Sequence, residues 1–181
     1  MKKALTKRLL ALGVGSTIAV AGGVVGMWEG KSNQAYKDIV GIPTICWGQT
    51  LNVKMGEYRS DDECDKDLAT ELVEYNRKMK QKVKVPLSEN EEVAYTSFVW
   101  NVGIGAWNSS TALKLLNAGD RKGACTQLLR WNKAGGRVVQ GLVNRRQAEY
   151  KICMGNDADV NKALEEASRL GSVEIEDPKT Y

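Results

Sequence analysis

A chain of 181 residues with 43% hydrophobic content can hold one globular domain with a real core and appendages, which excludes disorder throughout. It contains no histidine, which removes Ser-His-Asp hydrolases, Cys-His peptidases and zinc hydrolases with histidine ligands; no S-x-x-K or G-x-S-x-G takes their place. Acid and base chemistry therefore falls to carboxylates, and the net charge of +4, with acids gathered from Asp157 onward, leaves a cationic body suited to an anionic partner.

The N-terminus opens with Lys2, Lys3, Lys7 and Arg8, and then Leu9 to Trp28 runs without a charge. As one helix those residues would extend about 30 Å, the thickness of a hydrocarbon core. The basic flank keeps the N-terminus cytoplasmic and directs the rest outward. Three readings stand side by side. Ala19-Val20-Ala21 has the small-x-small pattern of a signal-peptide cleavage site; a permanent anchor could pair through Gly22-x-x-x-Gly26; and an anchor rich in Gly, Ala, Ser and Thr gains little from lipid, so it could leave the membrane. Export would bring Cys46, Cys64, Cys125 and Cys153 into an oxidising compartment. Their wide spacing, with no C-x-x-C pair, fits two disulfides and gives no metal site.

Downstream, Ala35 to Leu51 is broken by Gly41, Pro43 and Gly48 and reads as hairpin strands. Ser60-Asp61-Asp62-Glu63 has capping-box spacing and opens a helix with Leu68, Leu72, Tyr75, Met79 and Val83 on one face, ended by Pro86. Ser88 to Glu91 starts another, whose Ala94, Phe98, Val99, Trp100 and Val102 predict the buried centre of a larger lobe. Shorter helices follow: one capped by Asn108 to Ser110 and closed by Gly119, one over Cys125 to Trp131, and, after an Ala134-Gly135-Gly136 turn, one ending near Cys153. Residues 155–181 read as a polar tail with one short helix around Val160 to Leu170.

Glu29, Asp38 and Thr44 form the pattern E-x8-D-x5-T. Glycoside hydrolysis needs one protonated carboxyl to protonate the leaving oxygen and one ionised carboxylate to stabilise charge or activate water. Glu29, beside Trp28 and an apolar run, fits the first role; Asp38, in a polar loop, fits the second; Thr44 could hold the water. Spacing alone does not separate this from surface carboxylates in a chain with 22 acids.

W-E-G, A-Y-K-D-I-V-G-I-P-T-I-x-W-G-x-T, F-V-W-N-V-G-I-G-A-W-N-S-S-T and R-W-N-K-A-G-G-x-x-x-x-G-L-V-N-R-R-x-A-E occur in this order between Trp28 and Met154. Together they resemble the phage T4-type lysozyme family. The resemblance implies a mainly α (α+β), two-lobed fold with a small β-containing lobe and a larger helical lobe. It also implies cleavage of the β-1,4 bond between N-acetylmuramic acid and N-acetylglucosamine in peptidoglycan, with inversion. Glu29 would then be the general acid, Asp38 would position or activate water, Thr44 would orient that water, and Arg145 would lie close to the acid, with no cofactor, metal or nucleic acid involved. Relatives often carry G-x-G-H where this chain has Cys46-Trp47-Gly48-Gln49, which puts the local hydrogen bonding in question. Trp100 and Trp107 read as packing rather than sugar platforms.

The N-terminus in turn resembles that of signal-anchor-release endolysins, exported by the host secretion machinery and inactive while tethered to the inner membrane. The expected division is an anchor segment at 1–28, a lysozyme domain at 29–154 and a tail at 155–181, in a monomer acting in the host periplasm. No cysteine lies in the anchor, so control falls to release and refolding, the extracted segment packing onto the enzyme as a helix. Three cysteine pairings are possible, and the expected one is Cys46 with Cys64 and Cys125 with Cys153, which joins near neighbours in sequence. A lytic transglycosylase, which would leave anhydro ends, and a peptidoglycan-binding module without turnover are the alternatives.

Overall fold

The computed structural model describes the backbone of residues 3–38 and 41–171 and side chains up to residue 165. Its first departure from expectation lies in the uncharged run. In place of one span there are two helices, α1 (Lys3–Ala11) and α2 (Ser16–Trp28), separated by a turn in which Gly13 takes a φ of +80°. No helix among the described residues is long and apolar enough to cross a membrane. The physical reason is the glycine content: Gly13 permits the turn, and Gly22 lets α1 approach α2 so closely that a Cβ there would collide with Leu9 Cδ1 and come within 2.9 Å of Leu72 Cδ1.

Residues 19–26 of α2 are buried on every face, the pattern of a helix enclosed by protein. Val20, Ala21 and Val24 join one hydrophobic cluster with α4 (Glu89–Val102), while Ala19 and Val25 join a second with Leu5 and Leu9 of α1 and Leu68 and Leu72 of α3 (Asp61–Lys80). Each fully buried valine contributes about 1.5–3 kcal/mol. Thus α2 shares the centre of the molecule with α4, which alone had been expected there.

The smaller lobe is built on β1 (Ser32–Lys37) and β2 (Pro43–Cys46), antiparallel with Tyr36 opposite Thr44 and Ser32 opposite Cys46. The Cys46–Cys64 disulfide ties the end of β2 to α3. Ser60 and Glu63 form the expected capping box at the start of α3, as Ser88 and Glu91 do for α4. However, α3 stops at Lys80, before Val83 and well short of Pro86. β-Branched Val83 and Val85, the latter restricted by the following proline, favour the extended link.

The larger lobe continues through α5 (Ile104–Ser109), α6 (Thr111–Asn117), α7 (Arg121–Leu128), a short hairpin of β3 (Lys133–Ala134) and β4 (Arg137–Val138) turning at Gly135-Gly136, and α8 (Gln140–Cys153). The Cys125–Cys153 disulfide joins α7 to the end of α8. Trp107 is buried in this lobe, its indole N–H donating to the Met79 carbonyl at 3.1 Å, and Trp100 packs on Tyr75, so both serve packing.

The region read as a polar tail begins with α9 (Ala158–Gly171), which packs on α1, α2 and α4 and adds Val160, Ala163 and Leu164 to the larger core. A helix was expected there; its membership of the core was not. Residues 172–181, the rest of that region, lie outside the described residues, as do Met1 and Lys2.

Candidate active site

Glu29 is the residue at which α2 ends. Its N–H still donates to the Val25 carbonyl at 3.1 Å, but its backbone turns to φ −88°, ψ 132° and leads into β1. The side chain, 25% exposed, projects at the junction of the two lobes: Oε1 accepts from Arg145 Nη1 at 2.8 Å, and Oε2 lies against Gly48, where a Cβ would stand 3.5 Å away. Gly48 has a φ of +99° in the turn that follows β2. A side chain there would be strained by that backbone conformation, with its Cβ in van der Waals contact with the carboxylate.

Asp38 and Thr44 lie on the same hairpin and are organised around one residue. Asp38 Oδ1 accepts from the Ile42 N–H at 2.8 Å, and Thr44 Oγ1 donates to the Ile42 carbonyl at 3.0 Å. With its proton committed to that carbonyl, the buried Thr44 hydroxyl has only acceptor lone pairs left to offer a water. From the open end of the hairpin to its tip the order is Glu29, Thr44, Asp38, and Thr44 stands two residues, about 7 Å, along β2 from Cys46.

The histidine-free turn has its own solution. Gln49 is buried, and its Oε1 accepts the Trp47 N–H at 2.7 Å while its backbone pairs with Ile45 in both directions, so the side chain closes the turn inward.

Behind Arg145 lies a buried charge cluster that sequence reasoning did not assign. Arg145, 4% exposed, also donates through Nε to Glu149 Oε1 at 3.2 Å and through Nη2 to the Ser97 carbonyl at 3.2 Å. Glu149 is fully buried; Ser97 Oγ donates to its Oε1 at 2.8 Å, and Arg146 Nη1 stands 2.9 Å from its Oε2, close in distance though not aligned as a hydrogen bond. Arg146 bonds Asn101 as well and lies 4.9 Å above the Phe98 ring. Burial pushes the Glu149 carboxyl up, opposed by Arg146 and Arg145, and lowers the Arg146 guanidinium to about 10, opposed by Glu149. Arginines three and four residues before a glutamate on one helix were the available signal. Only their burial makes it a support for the site.

Comparison with known proteins agrees with this architecture. The phage lysozyme family model matches residues 26–149. The SAR-endolysin of Pseudomonas phage phiKMV is 41% identical over 155 residues, spanning 83% of this chain and 96% of its own. That of Enterobacteria phage P21 is 38% identical over 162 residues, spanning 85% and 98%. The solved endolysin from Escherichia coli O157:H7 phage FAHEc1 has a TM-score of 0.70 at 30% identity, over 76% of this chain and 92% of its own. With a match running from the last turn of α2 through Glu149, and relatives aligned nearly end to end, the chain belongs to the phage lysozyme family.

Proposed function

We propose that this chain is a peptidoglycan-lytic endolysin: a muramidase that hydrolyses the β-1,4 bond between N-acetylmuramic acid and N-acetylglucosamine, held at the membrane until its N-terminal segment is released. The observation that carries the reading is the seat of Glu29, between the Arg145 guanidinium and the hairpin that bears Thr44 and Asp38. Protonated Glu29 gives its proton to the glycosidic oxygen. Arg145, already hydrogen-bonded, stabilises the carboxylate that donation leaves behind. Asp38 takes a proton from a water that Thr44 orients, and attack opposite the leaving group inverts the anomeric centre.

The anchor follows from the same helix. Residues that would face lipid in a membrane span, Ala19 to Val25 among them, are core residues of the packed protein, and they cannot be in both places. Glu29 ends that helix, so it reaches its seat only when α2 does. The sequence relatives named SAR-endolysins support this reading.

Purified released protein acting on peptidoglycan should yield fragments with hydrated reducing ends by mass spectrometry, and Glu29→Gln should lose all but a small residue of turnover. Anhydro ends, or a Glu29→Gln variant at full rate, would overturn the muramidase reading. Full activity with α2 still embedded in membrane would overturn the anchor reading.

A further inference from the structure

Asp65 on α3 is a carboxylate with 2% exposure, and none of the chemistry above uses it. Its two oxygens have distinct partners. Oδ1 accepts from the Trp47 indole N–H at 3.1 Å, and Oδ2 is paired with the Arg8 guanidinium of α1. The covalent frame explains why Asp65 and Trp47 meet: Cys64 precedes Asp65, Cys46 precedes Trp47, and the two cysteines are bonded. Trp47 is itself buried, holds Lys31 5.5 Å above its ring, and immediately precedes the Gly48 that lies against Glu29. A continuous set of contacts therefore runs from Arg8 through Asp65 and Trp47 to the turn beside the acid.

Arg8 comes from the basic flank that precedes the uncharged run. In the membrane-spanning arrangement it would stand on the far side of the bilayer, about 30 Å from the end of the span. Asp65 would then be a buried charge without its cation, an unfavourable state that breaks up or hydrates the packing around it. Among the described residues Arg8 is the cation paired with Asp65; Lys31, which lies over the Trp47 ring, is paired with Asp61 at 2.5 Å.

We propose that Arg8 is a positioning residue of the released enzyme: by neutralising Asp65 it fixes the Trp47 indole, and with it the Trp47–Gln49 turn against Glu29. The inference rests on the reading of Glu29 as the acid and adds a condition to release. Extraction of the apolar segment is not sufficient; the charged residue that set its orientation in the membrane must follow it through and dock. Arg8 is thus used twice, first as a topology signal and then as a counter-ion.

The test uses full-length released protein, purified and folded, so that effects on export do not enter. Arg8→Gln should lower kcat on peptidoglycan by about tenfold or more with little change in KM, measured well below its melting temperature, because the substrate surface is intact while the acid's neighbour is displaced. Arg8→Lys should recover most of the rate. The double variant Arg8→Gln with Asp65→Asn should also recover it, since the amide still accepts from Trp47 and no longer needs a cation. Wild-type kcat in Arg8→Gln would overturn the proposal. So would a double variant that folds but turns over about tenfold or more below the wild-type rate, an outcome readable even if the single variant fails to fold. Retained activity in Glu29→Gln, run in parallel, would instead remove the parent reading of the acid.

Discussion

Replacing Arg145 with alanine tests the support of Glu29 directly. Three of the side chain's nitrogen groups are engaged: one with Glu29, one with Glu149 and one with the Ser97 carbonyl. The Glu29 end is a quarter exposed, so that pair contributes no more than about 1 kcal/mol to stability. The Glu149 end is different, because a carboxylate with no exposure keeps Arg146 and Ser97 alone among the described residues, and breaking a buried pair from one side costs about 3–5 kcal/mol. For a chain of this length each kcal/mol lowers the melting temperature by about 2–4 °C, so the loss should be roughly 6–20 °C. Adding Glu149→Gln should return a substantial part of it by removing the stranded charge. Thermal melts of the two variants, with turbidity loss of a peptidoglycan suspension well below either melting point, read stability and rate apart. The rate of Arg145→Ala should stay low even where it is fully folded, since Glu29 has lost its partner. A melting temperature within about 1 °C of the parent, or no recovery from Glu149→Gln, would refute the reasoning.

Two further predictions follow from packing and burial. Gly22→Leu should lower the melting temperature of the released protein by several degrees, since the new side chain collides with Leu9 and Leu72 and overpacking costs about 1–3 kcal/mol; an unchanged melt would mean that α1 does not pack on α2 in solution. Burial and the nearby Asp67 raise the Glu71 carboxyl to about 7, against the opposing pull of Arg59. A raised folded-state value means that Glu71 stabilises least once ionised: its contribution is intact below the unfolded value near 4.5 and is lost as pH climbs through about 7. Glu71→Gln should therefore stabilise by about 1–3 kcal/mol at pH 8, a range discounted for partial exposure, and by much less at pH 5; equal gains at both would refute the assignment.

Much of the fold could be read from local chemistry. Ser60 with Glu63 and Ser88 with Glu91 announce helix starts because the reciprocal bonds lie within four residues. Gly135-Gly136 marks its turn for a similar reason, and joining sequence neighbours gave both disulfides as they occur. The uncharged run was read as one helix, first in lipid and then packed on the enzyme, and its length and apolarity do not reveal the break into two helices or the depth of burial. What decides is where Gly13 breaks the helix and what Gly22 lies against, and both depend on partners far along the chain. The same holds for α9, whose polar composition hides three core residues, and for Glu149, whose sequence setting is that of a surface helix. At the site, Glu29, Asp38, Thr44 and Arg145 were nominated from pattern and resemblance. Gly48, Ile42, Ser97 and Asp65 were not, because each acts through a contact made only in three dimensions.

The docking of α9 onto α1 and α2 brings the last of the described helices against the first two. On the proposed reading, ribosome and translocon deliver everything from β1 onward to the periplasm while those two helices are still in the bilayer. Helix α9 then waits with Val160, Ala163 and Leu164 lacking the cover that α1 and α2 give them, with α4 left to pack on. Its capture closes the molecule last, so resistance of the segment after Cys153 to a soluble protease would time the moment at which each tethered copy completes itself.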